Sequence, residues 1–546
     1  MVLNKPEKAA LRAAIFCHLD GIATAPTTLA LHQAGVLDYL QEHETVELAE
    51  LVRRFKANEG YLNVALRILC SQGWFTQQIG ANGASVRFGI TPAGRIAARL
   101  APAYREVVDF IPFAAKMQHY IVQGFEPIAF ARMNTLFQHF ETRFGLPLQA
   151  ADPAERAVAE QMAQHIEGMI AGPIVVGLGI NGLFHEYFSV APFEVEEFTQ
   201  HHKEVKAIVD FFTGLGWFSK KGTTYSFTPQ GLFFARRATS YGVTVSYLPT
   251  FRQVPELLFG SPDVLWKNAA GGPETHVNRT MNVWGSGGAH AAYFKKIDEI
   301  VLDLFNKPIH EQPRGFLDMG CGNGAFMAHI FEVIWRQTAR GKMLDEYPLF
   351  IVGADFNEEA LVATRKTLNQ AGIWAKVVKG DIGKPELLAA ELQEKYHIFL
   401  GDLLNVRSFL DHNRIYEPPE AVSPERQSTS TGAFAFRGRR IPNNEVEQNL
   451  ADHLKKWMPY VQRFGLLVIE LHTIPPERAA AHRGKTAVTA YDATHGYSDQ
   501  YILELDCFLA AAREAGLAPD PACQEKYPDS ELATVSINLL KANAYL

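Results

Sequence analysis

Asp318 stands two residues ahead of Gly320 in the stretch GFLDMGCGNGAFMAHI (315–330), where Gly320, Gly322 and Gly324 occupy every second position. An apolar run ending in an acid and then in glycines should turn from a strand into a helix. The missing Cβ atoms let the backbone approach a ligand closely. The acid narrows the ligand, because a carboxylate at the strand end repels phosphate and favours a cation. A P-loop is excluded, since no Gly-Lys-Ser/Thr follows. Gly320, Gly322 and Ala325 would satisfy Gly-x-Gly-x-x-Gly/Ala, but a lone match of that kind is weak. The next strand-end acid, Asp355, also lies farther on than the roughly 20 residues usual for a nicotinamide site.

Further acids close successive apolar runs: Asp355 before Phe356, Asp381 before Ile382, and Asp402 in HIFLGDLL (397–404). Ligands of parallel α/β sheets bind beyond the strands' carboxyl ends. S-adenosylmethionine suits such a rim, being cationic and free of phosphate. Asp318 with Gly320, Gly322 and Gly324 would meet its ammonium end. Asp355 and Phe356 would take the ribose, Asp381 and Ile382 the adenine, and Asp402 would lie near the sulfonium.

Two stretches carry the groups for the transfer itself. DLLNVRSFLDHNRIY (402–416) supplies Arg407, Asp411 and His412, and FGLLVIELH (464–472) ends in Glu470 and His472. His472 or His412 can act as base, with Arg407 nearby. His472, His495 and Gln500 could instead converge on iron or manganese, leaving positions open for a chelating acceptor.

The glycine loop and the row of strand-end acids resemble class I S-adenosylmethionine-dependent methyltransferases over about residues 280–546. The residues His472, His495 and Gln500 are also similar to the metal-dependent C-methyltransferase domains of polyketide starter modules. That resemblance implies metal-assisted C-methylation of a malonyl-type or other 1,3-dicarbonyl acceptor, free or held on an acyl carrier protein. Arg437, Arg439 and Arg440 in the polar loop 423–443 would then face a carboxylate or a carrier phosphate. The alternatives are an O-methyltransferase with a histidine base and, less favoured, a winged-helix DNA-binding regulator.

The elements that position these groups alternate strand and helix from about residue 281, which predicts a doubly wound, Rossmann-like parallel sheet. Ahead of it the chain repeats itself. Gly73-Trp74-Phe75 answers Gly216-Trp217-Phe218, and Thr91-Pro92 answers Thr228-Pro229. Each copy reads as helices followed by a two-stranded wing, with threonine as N-cap and proline at the first helical position. LALHQAGVLDYL and VVGLGINGLFHEY correspond upstream. The predicted order is a mainly α-helical region of two winged-helix-like modules, 1–100 and 171–245, joined by a helical connector, 101–170. A linker or lid, 246–280, then leads to the methyltransferase domain, 281–546.

A net charge of −7 offers no electrostatic grip on nucleic acid. Lys220, Lys221, Arg236 and Arg237 near the second wing are read as a solvated face. The five cysteines form no CxxC pair, which fits reduced thiols in a cytoplasmic protein. No apolar run of about 18 residues stands out, so neither a membrane span nor a membrane partner is expected. Winged modules of this kind also serve in homodimers.

Overall fold

A computed structural model describes residues 3–80, 83–184, 191–266 and 274–542, without the side chains of 288–292. The first module opens with helix α1, Lys5–Gln33. Asn4 caps it, accepting from the Glu7 amide while the Glu7 carboxylate takes the Asn4 amide. Strand β1 (Thr45–Glu47) follows, then α2 (Glu59–Ser71), β2 (Phe75–Ile79), β3 (Val86–Ile90) and α3 (Pro92–Leu100). The wing is a three-stranded antiparallel sheet in the order β1-β3-β2. The second module repeats the plan with α4 (Pro153–Ile180), α5 (His202–Gly214), β4 (Phe218–Lys221), β5 (Thr224–Phe227) and α6 (Pro229–Ala235).

The repeated Thr-Pro-x-Gly has a steric cause in both copies. Thr91 and Thr228 each accept a hydrogen bond of 3.0 Å from the glycine amide three residues on. A Cβ on Gly94 or Gly231 would come within 2.0 Å of the carbonyl oxygen of Trp74 or Trp217.

The correspondence runs farther than the motifs. His18, Gly21 and Pro26 of α1 match His165, Gly168 and Pro173 of α4, and the two helices cross there. A Cβ on Gly21 would lie 2.2 Å from the His165 Cα, and one on Gly168 would lie 2.4 Å from the His18 Cα. Tyr104 and Tyr241, each thirteen residues past the capping threonine, exchange partners: Tyr241 bonds His18 Nδ1 at 2.7 Å and Tyr104 bonds His165 Nδ1 at 2.8 Å. The two copies therefore clasp each other about a pseudo-two-fold axis.

This changes the expected boundaries. Ile111-Pro112 and Leu248-Pro249 again correspond, and each opens a short helix. The first copy thus extends into the stretch read as connector, and the second into the stretch read as linker. Those prolines begin helices rather than interrupt the chain. Part of the expected linker, 267–273, and the end of VVGLGINGLFHEY lie outside the described residues. By length and composition α1 and α4 could each cross a membrane, contrary to the sequence reading; their most apolar windows are 83% and 72% buried inside the fold.

Helix α7 (Arg279–Phe305) leads into the second half, a seven-stranded sheet in the order β13-β14-β12-β9-β6-β7-β8. Its strands are β6 (Gly315–Met319), β7 (Phe350–Asp355), β8 (Lys376–Lys379), β9 (Leu404–Ser408), β12 (Leu466–Leu471), β13 (Leu517–Tyr527) and β14 (Val535–Ala542). The first five run parallel, β14 runs opposite to them beside β12, and β13, antiparallel to β14, takes the common direction again. This is the expected Rossmann-like sheet. Every residue of β6 is buried, with Phe316 packing on one face and Leu317 and Met319 on the other. Between β9 and β12 a hairpin, β10 (Phe434–Phe436) with β11 (Arg439–Ile441), precedes α8 (Asn443–Val461). After β12 comes α9 (Val488–Gly496). Ala435, Ala490, Ala493 and Tyr497 of this half belong to the same apolar core as α1 and α2, so the winged region and the sheet domain share one interior.

Candidate active site

Strand β6 carries Asp318 to the sheet rim at 1% exposure. One carboxylate oxygen, Oδ1, has no hydrogen-bond partner among the described residues. Burial, helped by Asp355, raises this acid to about 7. A buried carboxylate without a counter-charge is costly unless a ligand supplies the cation. The turn beyond it has left-handed backbone at Gly320, with φ +82°, and a Cβ there would press on the Leu410 side chain.

Asp355 ends β7 and is also raised by burial, against the pull of the amides of Asn357 and Gly322. Its Oδ2 accepts from the Gly322 amide at 3.1 Å and its Oδ1 from the Asn357 amide at 2.9 Å. Phe356 is exposed beside it, with the Lys379 ammonium 5.3 Å from its ring centre. Beyond β8, Asp381 accepts from the Gly383 amide at 2.8 Å. The buried Ile382 gives its carbonyl to Trp457 Nε1 of α8, also at 2.8 Å. The residue set Asp318, Gly320, Gly322, Gly324, Asp355, Phe356, Asp381 and Ile382 therefore lies along the carboxyl ends of three adjacent strands.

Asp402 does not join them. The expected strand 397–404 is instead β9, Leu404–Ser408, so Asp402 precedes the strand. It sits at the opposite end of the sheet, its carbonyl taking the Arg314 amide and its carboxylate 3.1 Å from Arg463 Nη1. Asp402→Asn is accordingly expected to change S-adenosylmethionine affinity by less than about twofold by calorimetry, the scale of a surface substitution. A larger loss would mean that the carboxylate does reach the donor.

The acid that follows β9 at the rim is Asp411. Burial would raise it, but Arg407 overrides this and holds it below the usual carboxylate range. Arg407 Nη1 bonds Asp411, His453 Nε2 lies 3.0 Å from the same oxygen, and the guanidinium stacks on Trp457 at 4.1 Å. Arg407 is fully buried in this network, where it braces the segment. Arg414 ties the other side, donating to Asn449 Oδ1 at 2.7 Å and to the Asp411 carbonyl at 2.8 Å.

Held between these braces, His412 meets Glu470. Its Nδ1 lies 2.5 Å from Glu470 Oε1, its amide donates to Oε2 at 3.2 Å, and the Leu471 amide donates to Oε1 at 2.7 Å. A carboxylate only accepts, so Nδ1 carries a proton, and in the neutral ring the lone pair is on Nε2. No described residue hydrogen-bonds that Nε2. The His495 ring stands edge-on to the His412 ring, 4.9 Å between centres. His495 Nδ1 bonds the Tyr491 carbonyl at 2.7 Å, and burial holds the ring neutral, lowered to about 3. Gln500 follows closely: its amide donates to the His495 carbonyl, and the Tyr501 amide donates to the His412 carbonyl at 2.8 Å. Gln500 Nε2 donates to Tyr247 Oη at 3.2 Å and Ser498 Oγ at 2.9 Å, which leaves Oε1 as an acceptor.

His472 stands apart from both expected roles. It is 0% exposed, its Nδ1 donates to the Leu503 carbonyl at 3.1 Å and its Nε2 accepts from the Ser536 hydroxyl at 2.7 Å. With both nitrogens occupied and burial lowering it to about 4, it is neither base nor ligand here. The set His472, His495 and Gln500 is thus not assembled. Among the described residues no three His, Cys, Asp or Glu side chains form a metal-sized group. The polar loop 423–443 is also reassigned: Arg440 is buried, bonding Glu59 and the carbonyls of Gly83 and Ala84, and so ties the wing to the sheet domain. Arg437 pairs with Asp499 and stacks on Trp266.

Sequence reasoning passed over Arg67 and Tyr247, which the winged region brings to this neighbourhood. A lone arginine in the apolar run LNVALRILC was the available signal for the first. Nothing marked the second.

Comparison with known families gives three matches in chain order. Residues 11–77 match a family described as AprA N-terminal domain, 167–261 one described as AprA winged helix domain, and 274–538 one described as AprA MT2-like domain. No curated protein sequence matches. Among solved structures, an O-methyltransferase family protein from Burkholderia thailandensis is 11% identical, covering 68% of this chain and 95% of its own at a TM-score of 0.38. The mitomycin 7-O-methyltransferase MmcR is 10% identical, over 72% and 100%, at 0.41. The DszA carbon methyltransferase is 11% identical, over 67% and 88%, at 0.28. None of the three is close enough to decide between oxygen and carbon as acceptor.

Proposed function

We propose that this chain, a class I S-adenosylmethionine-dependent methyltransferase, activates its methyl acceptor with the His412–Glu470 pair. The observation that carries this reading is the unshared Nε2 of His412, aimed by a carboxylate behind it. Asp318 and Asp355 fit the donor, since the first is a buried acid lacking a counter-charge and the glycine turn leaves the backbone open. S-adenosylmethionine supplies an electrophilic methyl group when bound. His412 Nε2 takes the proton from the acceptor, an O–H or an acidic C–H, and Glu470 stabilises the imidazolium that forms. The shared interior around α9 and α2 keeps water away from the nucleophile, and methyl transfer gains chiefly from such alignment and exclusion.

The same residues support a second reading. A carboxylate on the far nitrogen is how a metal-ligating imidazole is usually oriented. His412 Nε2, His495 Nε2 and Gln500 Oε1 are all free of partners among the described residues, and they suit a divalent iron or manganese ion. Such an ion would act on a 1,3-dicarbonyl acceptor as a Lewis acid, which is the malonyl-type C-methylation implied by the sequence.

Metal analysis of the purified protein and a methylation assay with and without chelator separate the two. Turnover that survives complete metal removal is the expected result for a histidine base. Loss of turnover on chelation, restored by iron or manganese, selects the metal-assisted reaction instead. A cytoplasmic site, a carrier-bound or free acceptor, and a homodimer remain part of the proposal. Absence of turnover on either acceptor class despite donor binding would overturn it.

A further inference from the structure

The winged region contributes a buried arginine that its surroundings do not satisfy. Arg67 of α2 is 1% exposed. Its Nη2 donates to Thr473 Oγ1 at 2.9 Å and to the Ile474 carbonyl at 3.0 Å. Its Nε and Nη1 make no hydrogen bond among the described residues. Nη1 lies 3.2 Å from Asp492 Oδ2, close enough for attraction but without hydrogen-bond alignment, and that oxygen too is left without a partner. A guanidinium offers five N–H donors, and leaving buried ones unused is expensive.

Arg67 borders a small cavity between α2, the start of the β10–β11 hairpin and α9. Val64, Phe434 and Ile502 give it apolar walls, while Arg67, Asp492 and Gln500 give it polar ones. Gln500 is joined through its backbone to His495, and Tyr247 of the second module holds its side-chain amide. The cavity is thus one residue removed from the two imidazoles. An acceptor made ready for methylation carries an anionic oxygen, whether enolate, phenolate or carboxylate.

We infer that this cavity is an oxyanion subsite for the methyl acceptor, with Arg67 donating to the anionic oxygen through Nε and Nη1. The inference rests on the methyl-transfer reading given above. It assigns the first winged module a direct part in acceptor recognition and leaves donor binding to the sheet domain.

Acetoacetate and acetoacetamide test it, because they share a 1,3-dicarbonyl skeleton and differ in charge. Binding of each is measured by calorimetry to the full chain preloaded with S-adenosylhomocysteine. Acetoacetate is expected to bind roughly tenfold tighter or more, the scale of a charge-assisted hydrogen bond. Arg67→Gln alone would strand Asp492 in the interior, so the informative variant is Arg67→Gln with Asp492→Asn, which removes both charges and keeps a polar side chain at each position. In that variant the preference should vanish while S-adenosylhomocysteine affinity stays unchanged. Equal binding of the two probes by the wild type, or a preference that persists in the variant, overturns the subsite. If S-adenosylhomocysteine itself fails to bind the wild type, the methyl-transfer reading falls first.

Discussion

Asp318→Asn is expected to weaken S-adenosylmethionine binding on the order of a hundredfold, the scale of losing a buried charged partner, while making the ligand-free protein more stable above neutral pH. Both effects have one cause. Folding buries the carboxylate and raises it from 3.8 to about 7, with Asp355 adding to the effect. Between those values the native chain holds a proton that the unfolded chain has released. Stability therefore falls as pH climbs through that window, and the loss is complete above about 7. At 1.36 kcal/mol per unit the penalty is at most on the order of 4 kcal/mol. Asparagine keeps the shape and never ionises, so the variant should melt higher at pH 8 and show a flatter dependence between pH 4 and 7. The donor's cation offsets the penalty in the wild type, and the variant forgoes that gain. Calorimetric titration and melting curves read the two halves separately. Undiminished donor affinity in the variant would remove Asp318 from the cation's neighbourhood.

His412→Ala should lower kcat by about 10²–10⁴, the usual contribution of a positioned base, with donor affinity intact. Glu470→Gln should act in the same direction, because an amide N–H₂ facing Nδ1 favours the wrong tautomer. The pair should be strongly non-additive, since each variant disables the same unit. A His412→Ala enzyme with wild-type turnover and unaltered metal content would eliminate both the base and the ligand reading.

The glycine loop was legible because its chemistry is local. Asp318, Gly320 and Gly322 are adjacent in sequence, and an acid followed by glycines states both the turn and the charge it prefers. The misplacement of Asp402 has an equally local origin. HIFLGDLL is apolar enough to resemble a strand, but the sheet accepts the chain only from Leu404, where pairing with Phe316 begins. That shift of register turns an acid at one end of the sheet into an acid at the other, and promotes Asp411 to the rim. His472 and His412 could not be told apart by composition. What separates them is Ser536 on a strand far along in sequence, which occupies the Nε2 of one and leaves the other free. The lone Arg67 stands out in its apolar run, but its role does not, since its partners Thr473, Ile474 and Asp492 come from the other half of the molecule.

The clasp between α1 and α4 has a consequence for how the molecule can diversify. In a homodimer every substitution is made twice, so both symmetry mates must tolerate it. A tandem fusion lifts that constraint. Tyr247 and Phe110 occupy matching places, just ahead of the paired Leu-Pro and Ile-Pro steps. The phenylalanine is simply buried, whereas the tyrosine adds a hydroxyl that receives Gln500. One oxygen atom distinguishes the sister positions, and it is the one that ties the second module to Gln500.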